Sequence, residues 1–190
     1  FYDEMRSAGV YVESFLKVRF PLFSKKVNYR NHRKVVVVDG ITGLVGGCNV
    51  ADRYLDGVSW GRWRDTMLLV RGMAVQGLQF SFLVDWYFAN HSLVSGKGYF
   101  PQQHGYSGAL LQVVPSNPVG EVRTLLCGFV KMLSTARSYA YLQTPYFMPD
   151  ESFMMALKGA ALSGVDVRLM IPKRSDSKIT DYASMSYLGE

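Results

Sequence analysis

The sequence predicts an α/β fold: a mixed, mostly parallel sheet flanked by helices. Three observations carry that expectation. Residues 109–171 alternate strand-like runs with segments of helical period, as units with crossover helices do. Short β-branched runs are bounded by Gly, Asp and Pro turn signals. Hydrophobic residues make up 48% of the 190 positions and charged residues 19%, a balance that supports a sizeable core and excludes a disordered chain.

Residues 1–8 read as the end of a helix stopped at Gly9. Residues 10–17 alternate in part and predict a strand. Residues 19–30 form a basic loop broken by Pro21, holding Lys25, Lys26 and Arg30. That loop is either a contact for an anionic head group or a solvated turn. Residues 34–38 and 41–45 are the arms of a β-hairpin, with Asp39-Gly40 as its tight turn and Gly46-Gly47 ending the return. Residues 51–62 are a loop, and 63–71 a strand. Val75, Leu78, Phe82 and Trp86 recur at helical spacing, so 72–90 is a helix with a stripe for the core. The most apolar region, 80–89, is interrupted by Asp85. Residues 91–107 read as a connection and the candidate boundary, with His91 and His104 structural or exposed. Residues 109–114 predict a strand, 121–137 a helix and 139–143 a strand. Asp150 caps a helix running to Ser163 and ended by Gly164. Residues 165–171 are a strand, and a last helix starts near Ser177.

The chemistry gathers on the hairpin. Strand side chains alternate faces, so His32 and Lys34 point the same way. Asn49 follows the return strand and comes back to the same end. Gly46 and Gly47 allow close backbone approach, with N–H groups for an anion. An imidazole, an ammonium, an amide and backbone donors suit a phosphoryl group: the imidazole attacks phosphorus and the others neutralise its oxygens. Twenty-one Lys and Arg against fifteen Asp and Glu give a net charge of +6. That excess fits an anionic partner or serves solubility. Cys48 and Cys127 form neither a disulfide framework nor a zinc site, and the three histidines lack metal-ligand spacing, so no metal and no cofactor is expected. No apolar run reaches the roughly 18 residues of a membrane span.

The full pattern is His32-x-Lys34, four residues, Asp39, six residues, then Gly46-Gly47-x-Asn49. It resembles the HKD motif of the phospholipase D superfamily. In the commoner form of that motif a serine stands where this chain has Gly47. The blocks GGCNVADRYL, WRDT, QTPYFMPD and GVDVRLMIP extend the likeness over nearly the whole chain, to the two-motif bacterial cardiolipin synthase branch.

The resemblance implies two similar α/β halves, each giving one motif to a shared site. Residues 1–106 would be the later part of the first half and 107–190 the opening part of the second. The second motif is expected after Glu190, and the chain is expected to be a piece of a longer protein. The resemblance makes His32 the nucleophile or the general acid of a phosphohistidine mechanism, with Lys34 and Asn49 on phosphate oxygens. Asp39 is the acid of the motif, although its position reads as a turn residue facing away from His32. Asp65 matches a carboxylate that orients the motif histidine, or else pairs with Arg62 or Arg64 at the surface. Tyr146, at a strand end, is a candidate substrate contact. The implied activity is phosphatidyl transfer between two phosphatidylglycerols, releasing glycerol. The alternatives are a phospholipase D-type phosphodiesterase or nuclease, and a non-catalytic lipid-binding fragment. The implied partners are phosphatidylglycerol and an anionic membrane surface, with no nucleic acid, and a homodimer as single-motif relatives form. The implied location is the bacterial cell membrane, anchored by a segment outside this stretch.

Overall fold

The computed structural model describes residues 1–15, 30–104, 108–117, 120 and 122–189. Its chain divides into two compact units, Phe1–Val113 and Val114–Glu190. Lys25 and Lys26 of the basic loop lie outside the described residues.

The first unit contains α1 (Tyr2–Ser7), β1 (Lys34–Val38), β2 (Thr42–Gly46), α2 (Arg53–Asp56), β3 (Met67–Arg71) and α3 (Ala74–Asn90). The strands form one sheet in the order β1-β2-β3, antiparallel throughout. The β1–β2 turn has Asp39 at φ 54° and Gly40 at φ 66°, and the Ile41 amide donates to the Val38 carbonyl at 3.0 Å. Two successive residues at positive φ match the twist of a hairpin. Gly40 is also required by space. A side chain there would come within 2.6 Å of the Pro101 ring, and Gln103 donates to the Gly40 carbonyl at 2.8 Å. The segment that read as a free connection is thus docked on the hairpin tip.

Alternation along β1 sends Val35 and Val37 toward α3. There they join Val45, Ala74 and Val113 around buried Val70, Val75 and Leu78. Gly43 lies under Leu78, whose Cδ1 would be 2.7 Å from an added Cβ. The opposite face carries Lys34, with Val36 and Val38 about half exposed. Only the N-terminal half of the expected α3 stripe is core. Phe82 and Trp86 stack on each other at 5.9 Å and line a surface cleft instead.

The second unit contains α4 (Thr124–Thr135), β4 (Tyr139–Gln143), α5 (Glu151–Leu162), β5 (Asp166–Met170) and α6 (Lys178–Ser186). β4 and β5 are parallel and α5 is their crossover. Asp150 caps α5, accepting from the Phe153 amide at 2.9 Å and the Ser152 hydroxyl at 2.8 Å. At its other end the Gly164 amide donates to Ala161 and the Val165 amide to Ala160, a Schellman closure that Gly164 permits at φ 87°. Ala160 and Val165 are both buried beneath it.

The cap gives the second unit an acid sensitivity. The amide of Phe153, then the Ser152 hydroxyl, hold the Asp150 carboxyl below its ordinary range. A carboxyl lowered by folding stabilises the folded state above its unfolded value. That stabilisation is lost as pH falls from about 4 through the lowered folded value. Asp150→Asn keeps a capping side chain but does not titrate. Its denaturation midpoint should therefore fall less on acidification than the wild type's, while matching it near neutrality. Parallel acid profiles for the two chains would exclude the cap as the source.

The α/β class holds, but the sheet is not mostly parallel. A turn of three residues, Asp39 to Ile41, can only join antiparallel neighbours, so the hairpin fixes the direction of the first sheet. The expected strand at 109–114 forms no ladder, and neither do residues 10–15 of the one at 10–17; residues 16 and 17 lie outside the described residues. Apolar alternation yields extended chain, and a strand also needs a neighbour to receive its hydrogen bonds. The strand expected over 63–71 begins at Met67, and the loop at 51–62 contains α2.

Candidate active site

The first sheet brings the expected residues to one of its ends. Lys34 opens β1 and pairs across the sheet with Gly46, which ends β2 and pairs in turn with Met67, which opens β3. His32 therefore sits two residues before one corner of this edge. Gly47 and Asn49 lie just after the next corner, and Asp65 two residues before the third. Asp39 is at the other end of β1, seven residues from His32 or about 23 Å along an extended chain. It shapes the turn and does not reach the His32 end.

His32 is exposed, and its main chain is held on both sides. Lys34 Nζ donates to the His32 carbonyl at 2.7 Å, so the ammonium stands beside the residue that carries the imidazole. The Arg33 amide donates to Asn31 Oδ1 at 2.9 Å, closing a turn across His32. Asn49 Nδ2 donates to the Tyr54 hydroxyl at 3.0 Å. Tyr54 packs edge-on against Trp63 at 6.1 Å, and the Arg53 guanidinium lies over both rings. This aromatic and cationic support for Asn49 was not foreseen.

Two glycines serve differently from expectation. The Gly47 amide donates to the Thr66 carbonyl at 3.1 Å, so it belongs to the sheet edge and is not an open anion donor. An added Cβ at Gly46 would overlap the backbone at Thr66 and come within 2.8 Å of Met67 Cα, and one at Gly47 would overlap the Asp65 carboxylate. Gly47 thus leaves room for Asp65, at the place where the commoner motif has a serine. Asp65 Oδ1 accepts from the Thr66 amide at 2.7 Å. Asp65 is neither hydrogen-bonded to His32 nor ion-paired with Arg62 or Arg64. Its carboxylate lies against the Gly47 backbone.

Asp85 is the residue the sequence reading left without a role. From α3 it accepts from Asn31 Nδ2 at 3.1 Å and from the Arg33 guanidinium at 2.5 and 2.6 Å. Its signal was visible, as the single charge in the apolar run 80–89. In the second unit, the Tyr146 hydroxyl donates to Asp176 Oδ1 at 2.5 Å, and the Phe147 amide to Ser184 Oγ at 3.0 Å. The loop after β4 is thereby fastened to the last helix and the loop before it.

Comparison with known proteins adds a lineage to this geometry. Residues 129–190 match the family described as cardiolipin synthase, PLD-like domain. The whole chain aligns with the major cardiolipin synthase of Bacillus subtilis at 41% identity over 193 residues, covering 40% of that protein. It is 42% identical to a cardiolipin synthase of Listeria monocytogenes, again covering 40%, and to cardiolipin synthase 2 of Bacillus cereus, covering 38%. No solved structure matches it. The chain spans about 40% of the length of the curated relatives first named.

Proposed function

This chain is a cardiolipin synthase-like member of the phospholipase D superfamily, and from that premise we propose that it is the part of a phosphatidyltransferase that supplies one of two catalytic histidines. The observation that carries the reading is the shared sheet end, where His32 and Lys34 lie beside Gly46, Gly47 and Asn49. The substrates are phosphatidylglycerols. One imidazole attacks the phosphorus of the donor lipid, the phosphorus–oxygen bond to its glycerol head breaks, and the other imidazole gives the leaving alkoxide a proton. The hydroxyl of a second phosphatidylglycerol then attacks the phosphohistidine while the other imidazole takes its proton, breaking the phosphorus–nitrogen bond, giving cardiolipin and restoring both imidazoles. His32 is one of this pair, and its partner belongs to the second half of the fold. Lys34 and Asn49 neutralise phosphoryl oxygens as charge builds. Asp65, next to Gly47 at the same sheet end, is the carboxylate that orients the imidazole, and Tyr146 is a lipid contact of its own half. Residues 1–106 and 107–190 are read as portions of the two successive halves.

The enzyme works at an anionic membrane surface, which the net charge of +6 favours. Among the described residues no helix is long and apolar enough to cross a membrane. The test is product analysis with the full-length enzyme and vesicles of phosphatidylglycerol alone. Cardiolipin and glycerol in equal amounts are expected, at a rate unchanged by a strong chelator, because Lys34 supplies positive charge at the site. Phosphatidic acid as the main product would make water the acceptor and the enzyme a hydrolase. Complete loss on chelation, restored by a divalent ion, would contradict the metal-free chemistry.

A further inference from the structure

The geometry points to Asp85 as a positioning residue for His32, an assignment that rests on the reading of His32 as a reacting imidazole. Asn31, Arg33 and Val35 face α3 and line one cleft with Phe15, Phe82 and Trp86. Asp85 stands in that cleft and accepts from both residues that flank His32, at 3.1 Å from Asn31 and at 2.5 and 2.6 Å from Arg33. The carboxylate is 18% exposed and the Arg33 side chain 31%, so the pair is largely sheltered from water.

The consequence is mechanical. His32 precedes β1 and lies outside the strand ladder, so the sheet alone does not fix its backbone. One carboxylate on a seventeen-residue helix pins the residue before it and the residue after it. The Asn31 side chain adds a third tie, from its own oxygen to the Arg33 amide. With both neighbours tied to α3, the stretch of backbone that carries the imidazole is held in place. A nucleophile or acid must be held within a fraction of an ångström of its productive position, and a displacement of about 1 Å can cost on the order of 100-fold in rate. Asp85 touches no reacting atom, so its loss should act on kcat and leave lipid affinity alone.

The experiment is steady-state kinetics of the full-length enzyme on phosphatidylglycerol in mixed micelles, for wild type, Asp85→Asn, Asn31→Ala, the double variant and His32→Ala. Asp85→Asn should lower kcat about 10- to 100-fold with KM within about twofold. The double variant should lose less than the product of the two single losses, since both changes release the Asn31–Asp85 tie and Asn31→Ala adds only the loss of the bond to the Arg33 amide. An Asp85→Asn enzyme with kcat within twofold of wild type, or one whose loss lies in KM, overturns the assignment. If Asp85→Asn does not fold, Asn31→Ala decides by the same criterion, because Asn31 is exposed and small. An inert His32→Ala beside a normal Asp85→Asn sinks this proposal alone. An active His32→Ala sinks the reading of His32 and this proposal with it.

Discussion

Replacing His32 with alanine is expected to reduce turnover of the full-length enzyme by at least about 1,000-fold while leaving its stability within about 0.5 kcal/mol. The side chain is exposed, and the hydrogen bond at this position uses the main-chain carbonyl, which alanine keeps. Its removal therefore leaves the core and the sheet intact. The chemistry has no such tolerance. Without the imidazole either the attack on phosphorus or the protonation of the leaving glycerol is lost. Unfolding midpoints and activity are to be measured on the same preparation. An alanine variant with near-normal transferase activity would remove His32 from the mechanism.

The 190-residue chain by itself is expected not to turn over. The proposed reaction needs one neutral imidazole to attack and one protonated imidazole to donate in the same step, and a single group cannot hold both states. Neither remaining histidine is followed two residues later by lysine. His91 also closes α3 at φ 58°, its amide bonded to Tyr87 at 2.7 Å. A symmetric dimer could bring two copies of His32 together. The described strands argue for less orderly association, because β1, β3, β4 and β5 all lie at sheet edges and the Lys34 face exposes Val36, Val38 and Leu69. Glycerol release by the purified chain should be measured alongside its mass in solution. Multiple turnover by a monomer would overturn the two-histidine requirement, whereas turnover that rises with dimer concentration would place two copies of His32 in one site.

The sequence made the hairpin legible because its determinants are local. Asp39-Gly40 fits one turn type, and the short turn then pairs β1 with β2. The cap at Asp150, the start of a helix near Ser177 and the closure at Gly164 were readable for the same reason, since each acts within about one turn of helix. What failed depends on distant partners. Residues 109–114 have the period of a strand but pair with no strand among the described residues. Asp85 lies more than fifty positions from Asn31 and Arg33, so nothing in the local pattern links them. The occupation of the Gly47 amide by Thr66 follows from β2–β3 register, which composition does not encode. Phe82 and Trp86 keep helical spacing, yet that spacing does not tell a cleft wall from a core.

The measurement closest to the central claim is trapping of the covalent intermediate. The full-length enzyme is mixed with phosphatidylglycerol labelled in its phosphate, quenched in alkali within one turnover, and digested. An acid-labile, alkali-stable label on a histidine is predicted in the wild type and should be missing from His32→Ala, whether His32 attacks phosphorus or protonates the leaving glycerol. A label on a serine, aspartate or cysteine, or an undiminished histidine label in His32→Ala, would contradict the account.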